Sequence, residues 1–458
     1  MASTVLSRTQ TSGSLRKFTL SAWNKRSGLS SYQGILNAYS SDSDRNAIFW
    51  QTTDEIAIYF KTSGGSQIFL QTNAKFRDTA AWYHVVVSVD TTQATESDRV
   101  KLYVNGDQIT SFSTETYPSQ NSDFSCIGRN TQSMKLGVLE YGAGPSTGYF
   151  DGSMAHYHFI DGTAYDASAF GETDATTGIW KPKTSPSVTY GTNGFFLKFD
   201  NSGSLGTDSS GQSNNLSISG TLSQTLDTPT NNFATLNPLA SSTTPIFTDG
   251  NLTIQGNSNN SSNQGCPATI VLSSGKWYWE MKNESSSNAN YIIPGFVDAE
   301  YYSNLKTGSG LPGNYYDASN GFTNNVQGGG DNLNFSIHRA GSSNSTSSGG
   351  LLQNQIYSFA LDLDNRKAWF GRDGTWYNSG DPAAGTNETW STSDIGAGKS
   401  WSPVVFHYYS ASKGSFNFGS PQFSISSGNS DGNGYGNFEY AVPSGFYAIN
   451  SKNLAEFG

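Results

Sequence analysis

This chain is short of the residues that build long helices and charged surfaces. Asp, Glu, Lys and Arg make only 14% of its 458 residues, which argues against coiled coils and helical bundles, whose exposed faces are dense in Glu and Lys. Cations are the scarcer sign: 26 Lys and Arg stand against 36 Asp and Glu, for a net charge of -10. Nucleic-acid binding by phosphate neutralisation needs clustered cations, so nucleic acid is not an expected partner. Two cysteines, Cys126 and Cys266, rule out a disulfide framework and leave room for one bridge at most. No apolar run approaches membrane-spanning length, and Met1 to Arg8 shows no basic stretch followed by an apolar one. Membrane insertion and a secretion signal are therefore not expected, and cytoplasmic synthesis is.

What is present points one way. Gly numbers 50, Ser 69, and Trp, Tyr and Phe together make 13% of the residues. A disordered chain shares the Gly and Ser, but this many aromatics require burial. The class read from this is all-β, and the length asks for at least two domains.

Alternation of period two recurs along the chain. It is clearest in Trp82-Tyr83-His84-Val85-Val86-Val87-Ser88-Val89-Asp90, and it returns in Val100 to Val104. The pair Asn105-Gly106 tolerates the positive φ angles of a two-residue turn, which predicts a hairpin over 100–112. Further strands are predicted at Phe18 to Trp23, Ala47 to Trp50, Ile56 to Phe60, Gln67 to Gln71, Met154 to Ile160 and Phe195 to Phe199. Residues 223–245, Ser- and Thr-rich with Pro229, Pro238 and Pro245, read as an extended linker after a first domain over 1–222. A second block, 246–458, carries Lys276 to Met281, Ile292 to Val297, Ile356 to Asp364 and Ala368 to Phe370 as its strand signals. The fold expected is two jelly-roll type antiparallel β-sandwiches joined by that linker.

Phe18-Thr19-Leu20-Ser21-Ala22-Trp23, Trp82 to Val87, Val100 to Gly106 and Tyr149-Phe150-Asp151-Gly152-Ser153-Met154-Ala155 resemble the laminin-G-like branch of the concanavalin A-like lectin/glucanase superfamily. Gly275 to Glu280, Ile293-Pro294-Gly295-Phe296 and the Tyr357 to Phe370 hairpin resemble the SPRY domain. The stretches Phe159 to Ala164, Phe170 to Asp174, Trp180-Lys181-Pro182 and Asp227 to Pro238 are similar to text that joins such domains in virion proteins of marine bacteriophages. The resemblance implies a structural or adhesive protein on a virus particle: a tail fibre or tip adhesin, or a capsid decoration. It further implies other virion proteins as partners, homo-oligomerisation, and host cell-surface polysaccharide as a ligand. Both folds host many functions, so sites must carry the argument.

Glucanases of the superfamily use Glu-x-Asp-x-Glu. Glu280 and Glu284 have its outer spacing, but Lys282 replaces the middle acid, and four strand residues span about 13 Å, too far for a retaining pair. The stretch reads as a solvent-facing strand edge, and no catalytic residue is assigned. A glycan-degrading enzyme remains the alternative function, and a cellular protein-binding SPRY module another. Ser146 and Ser430 sit in Gly-x-Ser-x-Gly matches that read as loops, not nucleophile elbows. His156 and His158 alternate, so they would share one strand face without the further ligands a structural zinc needs. Asp42 and Asp44 offer two hard oxygens and make calcium the one cofactor with candidate donors. For a sugar, whose face stacks on flat rings, the candidate ligand residues are Arg372, Asp373, Trp376, Tyr377 and Trp390, joined by Tyr315 and Tyr316 in a Gly-rich segment.

Overall fold

A computed structural model describes residues 4–63, 65–141, 146–241, 245–257, 264–285, 292–301, 321–327, 334–339, 342–346, 353–407 and 412–458. The chain divides into two units, Met1–Gln224 and Thr225–Gly458. Among the described residues the architecture is nearly all-β, with one seven-residue α-helix, Ser451–Phe457. Among the described residues, no helix is long and apolar enough to cross a membrane.

The first unit contains β1 (Val5–Thr9), β2 (Lys17–Arg26), β3 (Gln33–Ser41), β4 (Asp44–Trp50), β5 (Ile56–Thr62), β6 (Gly65–Thr72), β7 (Tyr83–Asp90), β8 (Val100–Val104) and β9 (Asp107–Ile109). It continues through β10 (Phe112–Thr116), β11 (Ser133–Leu136), β12 (Val138–Tyr141), β13 (Ser146–Tyr149), β14 (Gly152–Asp161), β15 (Gly171–Thr173), β16 (Trp180–Pro182), β17 (Phe195–Leu197) and β18 (Ser217–Ser219). Eight strands form one antiparallel sheet in the order β10-β6-β5-β4-β3-β11-β1-β18, and six form another in the order β17-β14-β2-β7-β8-β9. Alternation decides which side chains meet between them: Phe18, Leu20 and Ala22 of β2 and Val85, Val87 and Val89 of β7 pack with Ile48, Trp50, Ile56, Ile58, Phe60, Ile68 and Leu70 of the larger sheet. Each large apolar side chain buried there is worth about 1.5–3 kcal/mol. The Asn105-Gly106 turn forms, with φ of 51° and 93°. Its return arm ends at Ile109, because Phe112 opens β10, which pairs with β6 in the opposite sheet.

The second unit contains β19 (Ile246–Thr248), β20 (Thr253–Gln255), β21 (Gln264–Pro267), β22 (Lys276–Asn283), β23 (Ile292–Asp298), β24 (Gly321–Gln327), β25 (Asn334–Arg339) and β26 (Ser342–Thr346). Then come β27 (Ile356–Asp362), β28 (Lys367–Arg372), β29 (Thr375–Trp376), β30 (Trp401–His407), β31 (Lys413–Asn417), β32 (Tyr447–Ala448) and α1 (Ser451–Phe457). One sheet runs β19-β20-β31-β22-β27-β28-β29 with β32 beside β22, and the other runs β21-β30-β23-β24-β25-β26. Trp277, Trp279 and Met281 of β22 point into the core with Phe359, Leu361, Phe296 and Trp401. The alternate residue Tyr278 is just as buried, because Phe438, Phe446 and Ala448 cover the outer face.

The stretch read as a linker is part of this second unit. Phe233, Ala234 and Leu236 are buried, the Ala234 N–H donates to the Ile449 carbonyl at 3.0 Å, and the Leu236 N–H donates to Asn251 at 2.9 Å. The prolines mark turns instead: Pro238 starts a short 3-10 helix whose Leu239 N–H is capped by the Asn237 side chain. Cys126 and Cys266 are free and buried, each in the core of its own unit.

Candidate functional site

Of the described ligand residues expected in the second unit, one lies in the core and the others lie on or beside the β28–β29 turn. Trp390 is fully buried, edge-on to Phe296 at 5.2 Å, so it is a core residue and not a loop aromatic. Asp373 and Gly374, with φ of 47° and 79°, form the β28–β29 turn, and the Asp373 carboxylate accepts the Ile356 N–H at 3.0 Å. Arg372 is half-buried beside this turn, and Tyr377 packs against the unit's inner core. Trp376 lines a pocket of about 340 Å³ with Tyr278, Ser358 and Tyr440. Tyr315 and Tyr316 lie outside the described residues.

The other candidates are likewise taken up by structure. Glu280 is wholly buried, not solvent-facing. It accepts the Tyr278 hydroxyl at 2.8 Å, the Tyr440 N–H at 2.9 Å, the Glu439 N–H at 3.0 Å and the Asn417 amide at 3.2 Å. Burial pushes its carboxyl above the usual range, and the Tyr440 and Glu439 N–H groups pull it back. Glu284 instead pairs with Lys413 at 2.7 Å, so the two acids form no facing pair. Ser146 opens strand β13 rather than lying in a loop, and Ser430 follows the Asn429–Phe438 bridge with no helix after it.

A bulge between Ala155 and His158 interrupts β14, and His156 takes φ of 44°. Regular alternation is thereby interrupted, yet both histidine rings lie against Phe196, His156 at 5.9 Å. His158 stacks on Phe196 at 3.9 Å and shares a hydrogen bond with the Tyr190 hydroxyl. Asp42 accepts the Tyr39 hydroxyl at 3.1 Å, and Asp44 accepts the Ser63 N–H at 3.0 Å. Among the described residues, no group of three or more His, Cys, Asp or Glu converges. Two carboxylates already serving turns do not fit the six to eight oxygens calcium takes.

The site the structure assembles is one the motifs did not single out. It lies on the outer face of the eight-stranded sheet of the first unit, a groove of about 600 Å³ lined by Tyr32, Phe49, Tyr59, Phe69, Leu139 and Tyr141 together with Asp42, Arg45, Gln51 and Lys61. Register explains the grouping. Ala47 pairs with Tyr59 and Tyr59 with Phe69, while Phe49 pairs with Ala57 one row along. The inward partners Ile48, Ile58 and Ile68 anchor each strand in the core, leaving the rings on the other side. Tyr59 and Phe69 meet edge to face at 5.0 Å, and the two alanines leave the rings space.

A hairpin of β12 and β13 forms one wall. It crosses β3 where Gly34 stands, and a Cβ there would lie 2.0 Å from the Val138 carbonyl carbon. Glu140 on the hairpin takes Lys135 at 2.5 Å and the Asn37 amide at 3.3 Å. Tyr32 then meets Tyr141 at 5.3 Å and Phe49 at 5.9 Å, both edge to face. At the far end the Arg45 guanidinium stacks over Tyr59, 4.9 Å from the ring centroid. The signal existed in the sequence as Arg45-x-Ala47-x-Phe49-x-Gln51 and Ala57-x-Tyr59-x-Lys61, polar and aromatic residues interleaved with an apolar inward set.

The chain is similar to known proteins in part of its length. Residues 3–167 match the family described as the concanavalin A-like lectin/glucanases superfamily, of laminin G type. Among solved structures it is similar to the SPRY domain of human HERC1, at 13% identity over 40% of this chain and 96% of that one, with a TM-score of 0.29. It is also similar to the native heptameric SAP-like pentraxin from Limulus polyphemus, at 13% identity over 35% of this chain and 71% of that one, with a TM-score of 0.27. No curated protein matches it. Over residues 3–167, therefore, the chain is similar to laminin-G-type domains of the concanavalin A-like lectin/glucanases superfamily.

Proposed function

We propose that this chain is a non-enzymatic binding protein of a bacteriophage particle, displayed on the virion surface as a tail fibre or tip adhesin or as a capsid decoration. Its first unit holds a host-surface glycan in the aromatic groove. The groove is the observation that carries the glycan assignment: five rings offer apolar faces to a sugar, and Arg45, Gln51, Lys61 and Asp42 stand where hydroxyls would need partners. Its volume of about 600 Å³ falls within the ordinary range of ligand clefts. The superfamily match over residues 3–167 supports a binding role for this unit. The particle assignment rests on the resemblance of Phe159 to Ala164, Trp180-Lys181-Pro182 and Asp227 to Pro238 to virion-protein text. Glu280 and Glu284, the acids with a glucanase-like spacing, are committed to other partners, which favours binding over hydrolysis. On this reading the second unit, SPRY-like in its motifs, and homo-oligomer contacts serve assembly with other virion proteins.

A glycan array probed with the whole chain tests the site. Binding of at least one oligosaccharide class is expected, together with its loss by tenfold or more in Tyr59→Ala, because removing a large apolar side chain from a buried contact costs about 1.5–3 kcal/mol. Unchanged binding in that variant removes the groove from consideration. Quantitative mass spectrometry of purified virions tests the particle role. Shell-like abundance indicates decoration, tail-like abundance an adhesin, and absence from particles refutes it.

A further inference from the structure

Two cations in the groove stand without counter-ions. Arg45 and Lys61 face each other directly across β4 and β5, an arrangement in which like charges repel. Among the described residues neither is part of an ion pair, although the chain carries a net charge of -10 and Lys135, on strand β11 of the same sheet, is neutralised by Glu140. The guanidinium of Arg45 lies over the Tyr59 ring, and its Nε is buried without a hydrogen-bond partner. The two Nη nitrogens are not among the buried unpaired atoms, and they are the part of the group that can reach a planar carboxylate. Asp42, the acid among the lining residues, accepts from the Tyr39 hydroxyl at the exposed rim.

We propose that the groove selects an acidic oligosaccharide, a hexuronate, with the sugar ring over the aromatic floor and its carboxylate between Arg45 and Lys61. This rests on the glycan reading of the same groove and adds the charge of the ligand. A carboxylate placed there relieves the repulsion between the facing cations and leaves the apolar face of the ring on the aromatic floor. A neutral sugar satisfies only the last of these.

The test is calorimetric titration of the whole chain with trigalacturonate, with its methyl ester, which keeps the backbone and removes the charge, and with a sulfated galactan trisaccharide. The expected result is an affinity for the acid about tenfold or more above that for the ester, since a hydrogen bond to a charged group contributes about 1.5–3 kcal/mol. Arg45→Gln and Lys61→Gln should each lower affinity for the acid by a larger factor than affinity for the ester, and an unchanged far-ultraviolet circular dichroism spectrum shows that the variants fold. Equal affinity for acid and ester, or a preference that survives both substitutions, overturns the proposal while leaving a neutral-glycan function intact. Tighter binding of the sulfated sugar with the same dependence on Arg45 overturns the carboxylate assignment. Failure of every sugar to bind the unsubstituted chain overturns the glycan function and this proposal together.

Discussion

Asp54 shows how one residue can organise a sheet end. It is 2% exposed and lies against the wholly buried Arg26 at 3.1 Å, and it also takes Arg77 at 3.1 Å and the Ser30 N–H at 2.9 Å. Desolvation works against its charge, yet the Ser30 N–H and the two guanidinium groups outweigh it and hold the carboxyl below its usual value. An acid depressed in this way contributes stability above its unfolded value, about pH 3.9, and that stability is lost as pH falls through the folded value. Asp54→Ala leaves Arg26 buried and uncompensated, so denaturant unfolding should report a loss of about 3–5 kcal/mol. Gly34 acts by having no side chain. Gly34→Val must push the β12–β13 hairpin off β3, and glycan binding should fall at least tenfold while far-ultraviolet circular dichroism stays sheet-like. Neither role was legible in the sequence, because Asp54 and Arg26 are 28 positions apart and Gly34 meets a hairpin more than a hundred residues later.

At the scale of elements, the covering of sheet faces decides most of the site chemistry. In the first unit, residues from 162 to 194 lie over the outer face of the six-stranded sheet, where Phe170 packs with Val86 and Ile160. Two neutral histidines fasten this strap. His84, wholly buried and stacked on Trp23 at 4.7 Å, accepts the Trp180 indole N–H at 2.9 Å and pairs with Ser21 at 2.8 Å. His158 pairs with Tyr190 at 2.9 Å. Burial first, and then His156 nearby, pushes His84 down to about 3, and His158 is also held well below its usual value. The unfolded chain binds these protons more readily, so stability is complete above pH 6.5 and declines as pH falls toward 3. Urea midpoints measured across that window should fall, and His84→Gln should flatten the slope; an unchanged slope would remove His84 from the account. The sequence showed His84 in its strand but not Trp180 as its partner, since the two are 96 positions apart.

For the whole molecule, each unit encloses its own core of buried residues, which fits a chain of 35% apolar composition carrying aromatics instead of long aliphatic helices. Residues 1–224 therefore should fold alone, with a single cooperative urea transition and retained glycan binding. A broad transition would show that the first core is insufficient. The all-β class, the alternating strands and the Asn105-Gly106 turn were determined by the sequence itself, because period-two patterning and positive-φ turns are local properties of a chain. So was the inward set of each strand. What only the tertiary structure decided is which outward set stays open. Alternation says that Tyr59 and Phe69 point away from the core, and it says the same of Tyr278 and Glu280. The first pair floors a groove and the second lies buried beneath Phe438 and Tyr440, because register and the path of distant covering segments, neither encoded in any short window, determine which face meets water.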